Sequence, residues 1–311
     1  MAYTTINKSS LHMNTKLYTG NGSTNAITGV GFQPDMVWTK NRSATQNHLL
    51  YDVVRGVGYY LYPNLTNAQG GNGTGGLDSF DSDGFTLDGG DDSNVNGQNG
   101  VGWSWKAGNS QGSSNTDGSI NTTYTSVNTT AGFSIVSYTG TGSASTVGHG
   151  LGSTPKMIIV KNRTGTQGWG VYHASLGNTK YLQLNDSAGE GTASTFWNNT
   201  TPTNQLFSIG TSGWVNDSGS NYIAYCFAEK TGYSKFGSYV GNSSTDGTFV
   251  YTGFKPAFVL LKNTTGGDHW TLLDNKRNTY NPESARILAN LNFAEASSET
   301  LDFLSNGFKC R

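Results

Sequence analysis

One short strand pattern occurs three times along the 311 residues of the chain. Each copy opens with Pro, continues with an apolar run and closes with Lys-Asn. The copies are PDMVWTKN at 34–41, PKMIIVKN at 155–162 and PAFVLLKN at 256–263. Self-similarity at a regular spacing is the signature of a repeat architecture. The chain is therefore expected to fold into related sheets rather than around one unrepeated core.

The similarity extends well beyond this strand. A Tyr followed by Thr-Gly or Val-Gly precedes each Lys by 22 or 23 residues, at Tyr18, Tyr138 and Tyr239. A second apolar run ends 12 residues after each Lys, at Asp52, His173 and Asp274. Residues 94–108 and 216–230 also match each other, with apolar and aromatic residues alternating with polar or small ones, as in a strand with one face on a core.

These matches predict three units. The first is a β-sandwich over 1–109, and the second is a linker strand plus a β-sandwich over 110–231. The third, over 232–311, is partial because nothing in it matches the closing strand of the other two. A missing strand leaves a row of backbone groups unpaired. The polypeptide could continue past Arg311, another chain could complete the sheet, or the third unit could pack differently; we favour continuation.

The composition predicts an all-β fold. The chain has 43 Gly and only 6 Pro, and aromatic residues make up 12% of it. Short apolar runs between clusters of Gly, Asn, Asp and Ser are typical of strands joined by turns. Tandem sandwiches of jelly-roll or lectin-like type fit best. Helix formers fill 282–303, but the repeat position there predicts a strand near Ile287 to Leu291, and we favour the strand because propensity is a weak guide.

Several classes of function are disfavoured by charge and patterning. Nineteen basic and twenty acidic residues nearly cancel, and the absence of a basic run argues against nucleic-acid partners. No apolar stretch approaches membrane-spanning length, so membrane insertion is not expected. The start of the sequence lacks the apolar segment of a secretory signal. Cys226 and Cys310 are interpreted as free thiols, and no cofactor is expected.

An acidic stretch at 77–92 is the one candidate metal site. Asp78, Asp81 and Asp83 are the proposed ligands, because Ca²⁺ prefers oxygen donors. Asp88, Asp91 and Asp92 add to the acidity of the stretch. The alternative is a hairpin turn at Asp83-Gly84, and it is favoured because the third copy carries Asn-Gly there.

Aromatic residues near the second apolar run form a candidate glycan-binding site. The proposed residues are Trp169, Tyr172, His173, His269 and Trp270. Flat rings next to polar groups can stack on sugar faces. The alternative, which we prefer, is that these rings fill the core. Glycoside hydrolysis would need two carboxylates across a cleft, and the scarce glutamates Glu190, Glu229 and Glu295 fall near turns.

Five long stretches resemble a known repeat family. They are AYTTINKS, LYTGNGSTNAITGVGFQPDMVWTKNR, TTAGFSIVSYTGTG, VGHGLGSTPKMIIVKNR and YIAYCFAEKTGYSKFGSYVGN. The family is abundant in tailed phages of marine bacteria and is labelled a domain of unknown function. The resemblance covers essentially the whole chain. Members of the family continue into another closing strand, which is consistent with the missing strand of the third unit.

The resemblance implies a non-enzymatic virion protein, either a tail-fibre-like appendage or a decoration of the head. It implies other virion proteins as partners, assembly in the host cytoplasm and a homo-oligomer, often a trimer. It brings no known catalytic residue. The alternative is a host-surface adhesin that binds glycans, and a glycan-degrading depolymerase is less favoured.

Overall fold

The computed structural model describes residues 4–71, 75–89 and 92–311, and the all-β prediction is confirmed there. The described part contains only three short helical turns, at Ser9–Leu11, Ser194–Trp197 (α1) and Gly213–Asn216 (α2). All strand pairs within the sheets are antiparallel. For brevity, residues 1–109, 110–231 and 232–311 are called the first, second and third segments.

The first segment forms two sheets that face each other. Its strands are β1 (Met13–Thr19), β2 (Asn25–Thr28), β3 (Met36–Asn41), β4 (Leu49–Asp52), β5 (Leu77–Asp81), β6 (Gly84–Leu87) and β7 (Asn99–Trp105). One sheet has the order β1-β7-β3-β4 and the other β2-β6-β5. Apolar residues of both sheets, among them Val37, Tyr51, Leu77 and Phe85, form a buried cluster between them. The arrangement is that of a small sandwich.

The second segment is built around one long sheet. Its strands are β8 (Tyr124–Asn128), β9 (Phe133–Thr139), β10 (Ser145–Gly148), β11 (Pro155–Asn162), β12 (Trp169–His173), β13 (Lys180–Gln183), β14 (Gly191–Thr192), β15 (Leu206–Ile209) and β16 (Asn221–Ala228). The main sheet has the order β14-β13-β12-β11-β16-β9-β8, and β10 pairs with β15. A second buried cluster includes Tyr138, Val160, Trp197 and Phe207.

The third segment forms a single sheet. Its strands are β17 (Phe249–Tyr251), β18 (Phe258–Leu261), β19 (Thr271–Asp274), β20 (Glu283–Leu288), β21 (Ala296–Leu304) and β22 (Gly307–Cys310), in the order β17-β22-β21-β20-β19-β18. Residues from both ends of this sheet share a small cluster around Leu273, Leu301 and Phe308. The finer assignment of the chain to a jelly-roll or lectin-like type stays a prediction.

The helix-forming stretch at 282–303 contains strand. The structure places β20 at Glu283–Leu288, slightly ahead of the predicted position, and β21 follows at Ala296–Leu304. Ile287 pairs with Leu272 of β19 and is buried in the interior. Cross-strand pairing and burial therefore outweigh local helix propensity here.

The largest apolar cluster does not belong to any one segment. It brings together Trp38 and Trp103 of the first segment, Ile159 and Tyr225 of the second, and Trp270 of the third. Each segment thus has an apolar cluster of its own, and its main sheet also turns one face toward this common centre. Shared burial explains how β3 and β11 can be apolar on both faces, with the segment's own cluster on one side and the common centre on the other.

The three repeated strands do not have equal surroundings. β3 lies between β4 and β7, and β11 lies between β12 and β16. β18 pairs with β19 alone among the strands of the described part, and its four residues are only half-buried. The third repeat therefore keeps the strand but lacks one of its two neighbours.

A close approach of strands requires glycine at two equivalent positions. A Cβ on Gly84 would lie 1.9 Å from the carbonyl oxygen of Ile27 in β2, and a Cβ on Gly307 would lie 2.1 Å from that of Val250 in β17. Both glycines follow the turn residue of a hairpin. The glycine of the Asp-Gly or Asn-Gly pair is thus needed for strand packing in both copies.

Gly84→Ala should lower the free energy of unfolding by about 1–3 kcal/mol, because the backbone on the far side of the contact must move. Equilibrium urea unfolding measures this directly. Gly267→Ala is the matched control, since a Cβ there would meet nothing within 4 Å. Equal stability of the two variants would contradict the close approach.

Candidate functional site

Each repeated strand ends in a Lys-Asn corner, defined as Lys40-Asn41, Lys161-Asn162 or Lys262-Asn263. In all three, the Asn Oδ1 accepts two backbone N–H groups of the loop that follows, at 2.8–3.1 Å. A side chain that caps its own loop in this way ends a strand without leaving donors unpaired. This local role explains the Asn of the motif.

The Lys of the corner points into backbone carbonyl oxygens rather than into water. Lys161 Nζ donates to the carbonyls of Asn162 at 2.7 Å and Gln167 at 2.8 Å within its own segment. It also reaches Thr66 of the first segment at 3.1 Å, and Lys262 reaches Ser187 of the second at 2.7 Å. Thr66 and Ser187 stand 26 residues after the corner Lys of their own segments. In the second and third segments the corner is thus both a loop brace and a contact between segments, whereas Lys40 donates to the carbonyls of Asn41 and Ala44 in its own segment.

Burial perturbs these amines. It lowers the pKa of Lys161 to about 7 and that of Lys40 to about 8, with the Asp92 charge opposing the shift at Lys40. The surrounding carbonyl dipoles favour the ammonium form and work against desolvation. No carboxylate pairs with Lys161 in the described part of the chain. The ammonium charge of Lys161 is therefore stabilised by carbonyl dipoles and not by an ion pair.

A ring of equivalent hydrogen bonds joins the three segments. The residue eight positions after each corner Lys carries a ring N–H that reaches a carbonyl of another segment. The bonds are Trp169 Nε1 to Tyr62 at 2.9 Å, Trp270 Nε1 to Gln183 at 2.7 Å, and His48 Nε2 to Leu288 at 3.1 Å. They run from the second segment to the first, from the third to the second and from the first to the third, so the ring closes.

The tautomer of His48 follows from its two partners. Its Nδ1 accepts from Trp38 Nε1 at 2.9 Å, so the proton must be on Nε2, which faces the Leu288 carbonyl. Complete burial lowers the pKa of His48 to about 3 and keeps the ring neutral. The neutral imidazole donates one ring N–H to a carbonyl of another segment, as the indoles of Trp169 and Trp270 do.

A second ring is made by backbone. The carbonyl two residues after each corner Lys accepts an amide N–H from another segment. The bonds are Gln69 N to Arg163 O at 2.9 Å, Glu190 N to Thr264 O at 2.7 Å, and Glu295 N to Arg42 O at 3.0 Å. Side chains reinforce two of these contacts, through Arg163 with Gln69 and a bidentate Arg42–Glu295 ion pair.

Within the described residues, a third set of contacts is present at two of the three boundaries between segments. In the first segment, buried Asp52 accepts from Arg55 Nε at 2.5 Å and from the Tyr225 hydroxyl of the second segment at 2.7 Å. In the third, Asp274 accepts from Arg277 Nε at 2.6 Å and from Trp103 Nε1 of the first segment at 2.9 Å. The second segment has His173 at this position.

Comparison with known proteins places the sequence in a family. A domain of unknown function, DUF7483, matches residues 8–311. The chain belongs to the DUF7483 family. No curated protein sequence and no solved structure is detectably similar to it.

Three of the proposed glycan-binding rings in this DUF7483 chain lie inside it. Trp169, Tyr172 and Trp270 are buried in the apolar clusters, so no ring face is open for a sugar to stack on. This placement agrees with the core interpretation preferred from the sequence. His173 is half-buried and accepts the backbone N–H of Ser175. His269 is exposed and contacts Asn290. The five residues do not share one open surface.

The proposed calcium ligands of the DUF7483 chain have other partners. Asp81 accepts the hydroxyls of Ser79 and Thr86 at 2.8 and 2.7 Å. Asp83 accepts the backbone N–H groups of Gly29 and Gly31 at 3.1 and 2.6 Å. Asp78 is exposed, and Asp91 lies outside the described residues. Among the described residues no group of three or more His, Cys, Asp or Glu is placed to hold a metal ion.

The glutamates considered for glycoside hydrolysis in the DUF7483 chain are held in ion pairs. Glu190 pairs with Lys180, Glu229 with Lys235, and Glu295 with Arg42 and Arg277. A shallow groove of about 370 Å³ in the first segment is lined by residues such as Gln33, Val57, Phe80 and Gln111, without a carboxylate or histidine. Its lining offers no acid or base to a substrate.

Sequence reasoning missed the contacts between segments in the DUF7483 chain. The signal was present in the fixed offsets from the corner Lys, because His48, Trp169 and Trp270 fall at the same position. Offsets identify equivalent residues, but they do not tell which segment each one touches. Within the described part, no helix is long and apolar enough to cross a membrane.

Tyr225→Phe should lower the free energy of unfolding by about 1.5–3 kcal/mol, because it removes a hydrogen bond to a buried carboxylate. The loss should be much smaller when Asp52→Asn is already present. A double-mutant cycle from urea unfolding measures the coupling. Tyr124→Phe, at an exposed ring, is the control. Additive effects of the Asp52 and Tyr225 changes would argue against the contact.

Unfolding should depend on pH through Lys161. Its folded pKa of about 7 lies below the ordinary value of 10.5, so the unfolded chain binds more protons between these values. The free energy of unfolding should therefore rise with pH above about 7, with Lys161 adding up to about 1 kcal/mol per pH unit. Lys161→Met should remove that part of the slope between pH 7.5 and 9.5.

The control for this pH series is Lys8→Met, because Lys8 is exposed. It should leave the slope unchanged. If Lys161→Met gave the wild-type slope as well, the amine would be as fully charged in the folded chain as in the unfolded chain.

Proposed function

We propose that the chain is a non-enzymatic structural component of a phage virion, either a tail appendage or a decoration of the head. The observation that carries the structural role is the ring of contacts between the segments. Trp169, Trp270 and His48 link the three segments in a closed circuit through bonds of 2.7–3.1 Å. A circuit of this kind resists separation of any one segment, because two boundaries must open together.

The chemistry of the polar groups supports a structural role. The corner lysines, the paired arginines and the buried acids bond to carbonyls or to one another. Catalytic groups instead have to face a cleft where a substrate can bind. The strongly perturbed acid Glu283, whose pKa burial raises to about 7, is almost fully buried within β20.

The virion assignment itself rests on the resemblance of the long repeat motifs to phage proteins. A Gly-, Asn-, Ser- and Thr-rich surface around buried sheets suits a particle component that must persist outside a cell. Partners among other virion proteins and a homo-oligomer such as a trimer are part of the proposal. Assembly would take place in the host cytoplasm, where free Cys226 and Cys310 remain reduced.

A host-surface adhesin is the second candidate, and exposed rings favour it. Tyr251, Tyr280 and Phe293 of the third segment are 62%, 82% and 58% exposed. Open aromatic faces next to hydroxyl and amide groups can stack on sugars. This candidate replaces the buried rings proposed from sequence with rings that a glycan could reach.

The chain should be found in purified particles of the phage that encodes it. Mass spectrometry of gradient-purified virions tests its presence, and cryo-electron microscopy of the same particles locates it on the head or the tail. Absence from virions in which the known capsid proteins are detected would refute the proposal. Binding of the recombinant chain to a glycan array, lost in Tyr280→Ala, would support the adhesin instead.

A further inference from the structure

Two shallow grooves adjoin where the first segment passes into the second. One has a volume of about 370 Å³ and the other of about 450 Å³, and both are lined by Gln33 and Asn109. Val57 lines the first groove and Leu11 the second, and these apolar side chains are 40% and 39% exposed. Sites for small molecules have volumes of about 300–1,000 Å³. The two grooves together are called the linker groove.

Hydrogen bonds fix one wall of the linker groove in place. Gln33 Nε2 donates to the backbone carbonyl of Asn109 at 3.3 Å. Gln111 Nε2 donates to the backbone carbonyl of Val54 at 3.2 Å. Asn109 itself has a φ of 60°, in the left-handed region that Asn adopts more readily than most residues. A wall that is already ordered loses little conformational entropy when a ligand binds.

The side chains of this wall leave several hydrogen-bonding groups unused. Within the described residues, Oε1 of Gln33 and Oε1 of Gln111 accept no hydrogen bond, and the side-chain amide of Asn109 has no partner. Ser110 Oγ accepts the N–H of Gly112 at 3.3 Å and keeps its own O–H to donate. The wall thus presents both acceptors and donors. A ligand hydroxyl also donates and accepts, so a ligand rich in hydroxyls matches this set.

An aromatic ring lies among these polar groups. Phe80 of β5 packs against the common central cluster and the cluster of the first segment, but it is only half-buried and also lines the groove. Val53 and Val57 line the same part. A sugar ring has an apolar C–H face with hydroxyls around its edge, which suits a flat ring bordered by amides. A wholly apolar ligand would instead leave the amides unpaired.

The charge of the linker groove disfavours other classes of ligand. Lys106 is the one charged side chain among the described residues that line it. Without a carboxylate the lining has no counter-charge for a cationic ligand. A single Lys also cannot neutralise the row of phosphates of a nucleic acid. The lining therefore favours a ligand that binds through uncharged hydrogen bonds and one ring contact.

We propose that the linker groove binds an oligosaccharide. One sugar ring lies on Phe80, and its hydroxyls bond to the amides of Gln111 and Asn109. The next sugar unit lies beyond Gln33 in the adjoining groove, where Lys106 donates to its oxygens. The site belongs to the first segment and the chain that follows it. It depends neither on the virion assignment nor on the exposed rings of the third segment.

The test uses the purified full chain on an array of neutral and acidic microbial oligosaccharides, followed by calorimetric titration with the array member that binds best. Asn109→Gly should weaken binding about 3- to 10-fold, as for one lost hydrogen bond. Glycine keeps the left-handed backbone and removes only the amide. A loss of about the same size is expected for Phe80→Leu, which keeps an apolar side chain but removes the ring face. Tyr280→Ala, outside the groove, should leave the affinity unchanged.

NMR of the side-chain amides locates the bound oligosaccharide. The signals of Gln33 and Gln111 should shift during the titration, and that of Asn198 in α1 should not. Melting temperatures of the variants separate a lost contact from lost folding, and Asn109→Gly changes an exposed residue. An array without a bound member, or binding that only Tyr280→Ala weakens, would overturn the proposal. Neither result would affect the virion assignment, which is tested on purified particles.

Discussion

The arrangement of the segments depends on backbone carbonyl oxygens that are not hydrogen-bonded within a sheet. A buried carbonyl without a donor is costly, and loops that leave a sheet carry several of them. Here the donors come largely from one motif and its surroundings: the corner Lys, the ring N–H eight residues later and the amides of neighbouring loops. The hydrogen bonds that satisfy the loop carbonyls are thus largely the same bonds that join the segments.

This logic also explains which substitutions the repeat tolerates. Position eight after the corner Lys holds Trp twice and His once, and each presents an N–H from a flat ring whose body is buried. The acids at position twelve depend on an Arg three residues later, Arg55 or Arg277. Its Nε donates to the carboxylate oxygen that also accepts the aromatic donor, and its backbone N–H donates to the other oxygen. The second segment has Leu176 in place of that Arg, and it also has His173 in place of the acid. A buried carboxylate without its cation would be unfavourable, so the two changes are consistent with each other.

The sheets could be predicted from the sequence, but the way in which they pack against one another could not. The repeated apolar runs between Pro and Lys-Asn predicted β3, β11 and β18, and the repeat position outweighed helix propensity at β20. The burial of Trp169 and Trp270 in a core was the preferred interpretation, but the core was expected to belong to a single unit. Periodicity marks a face as apolar without telling what covers it. For strands that are apolar on both faces, the second cover can be another sheet of the same chain, and only the fold identifies it.

The asymmetry of the third segment follows from the same constraint. Its β18 is half-buried where β3 is fully buried, although the sequence of β18, FVLL, is the more apolar of the two. The difference lies in the neighbour, since β7 covers one edge of β3 and contributes Trp103 and Trp105 to the common centre. These two rings already reach across to Phe258, at centroid distances of 6.1 and 5.5 Å. Trp103 and Trp105 of the first segment thus cover Phe258 on the inner face of β18, and within the described residues that strand pairs along one edge only.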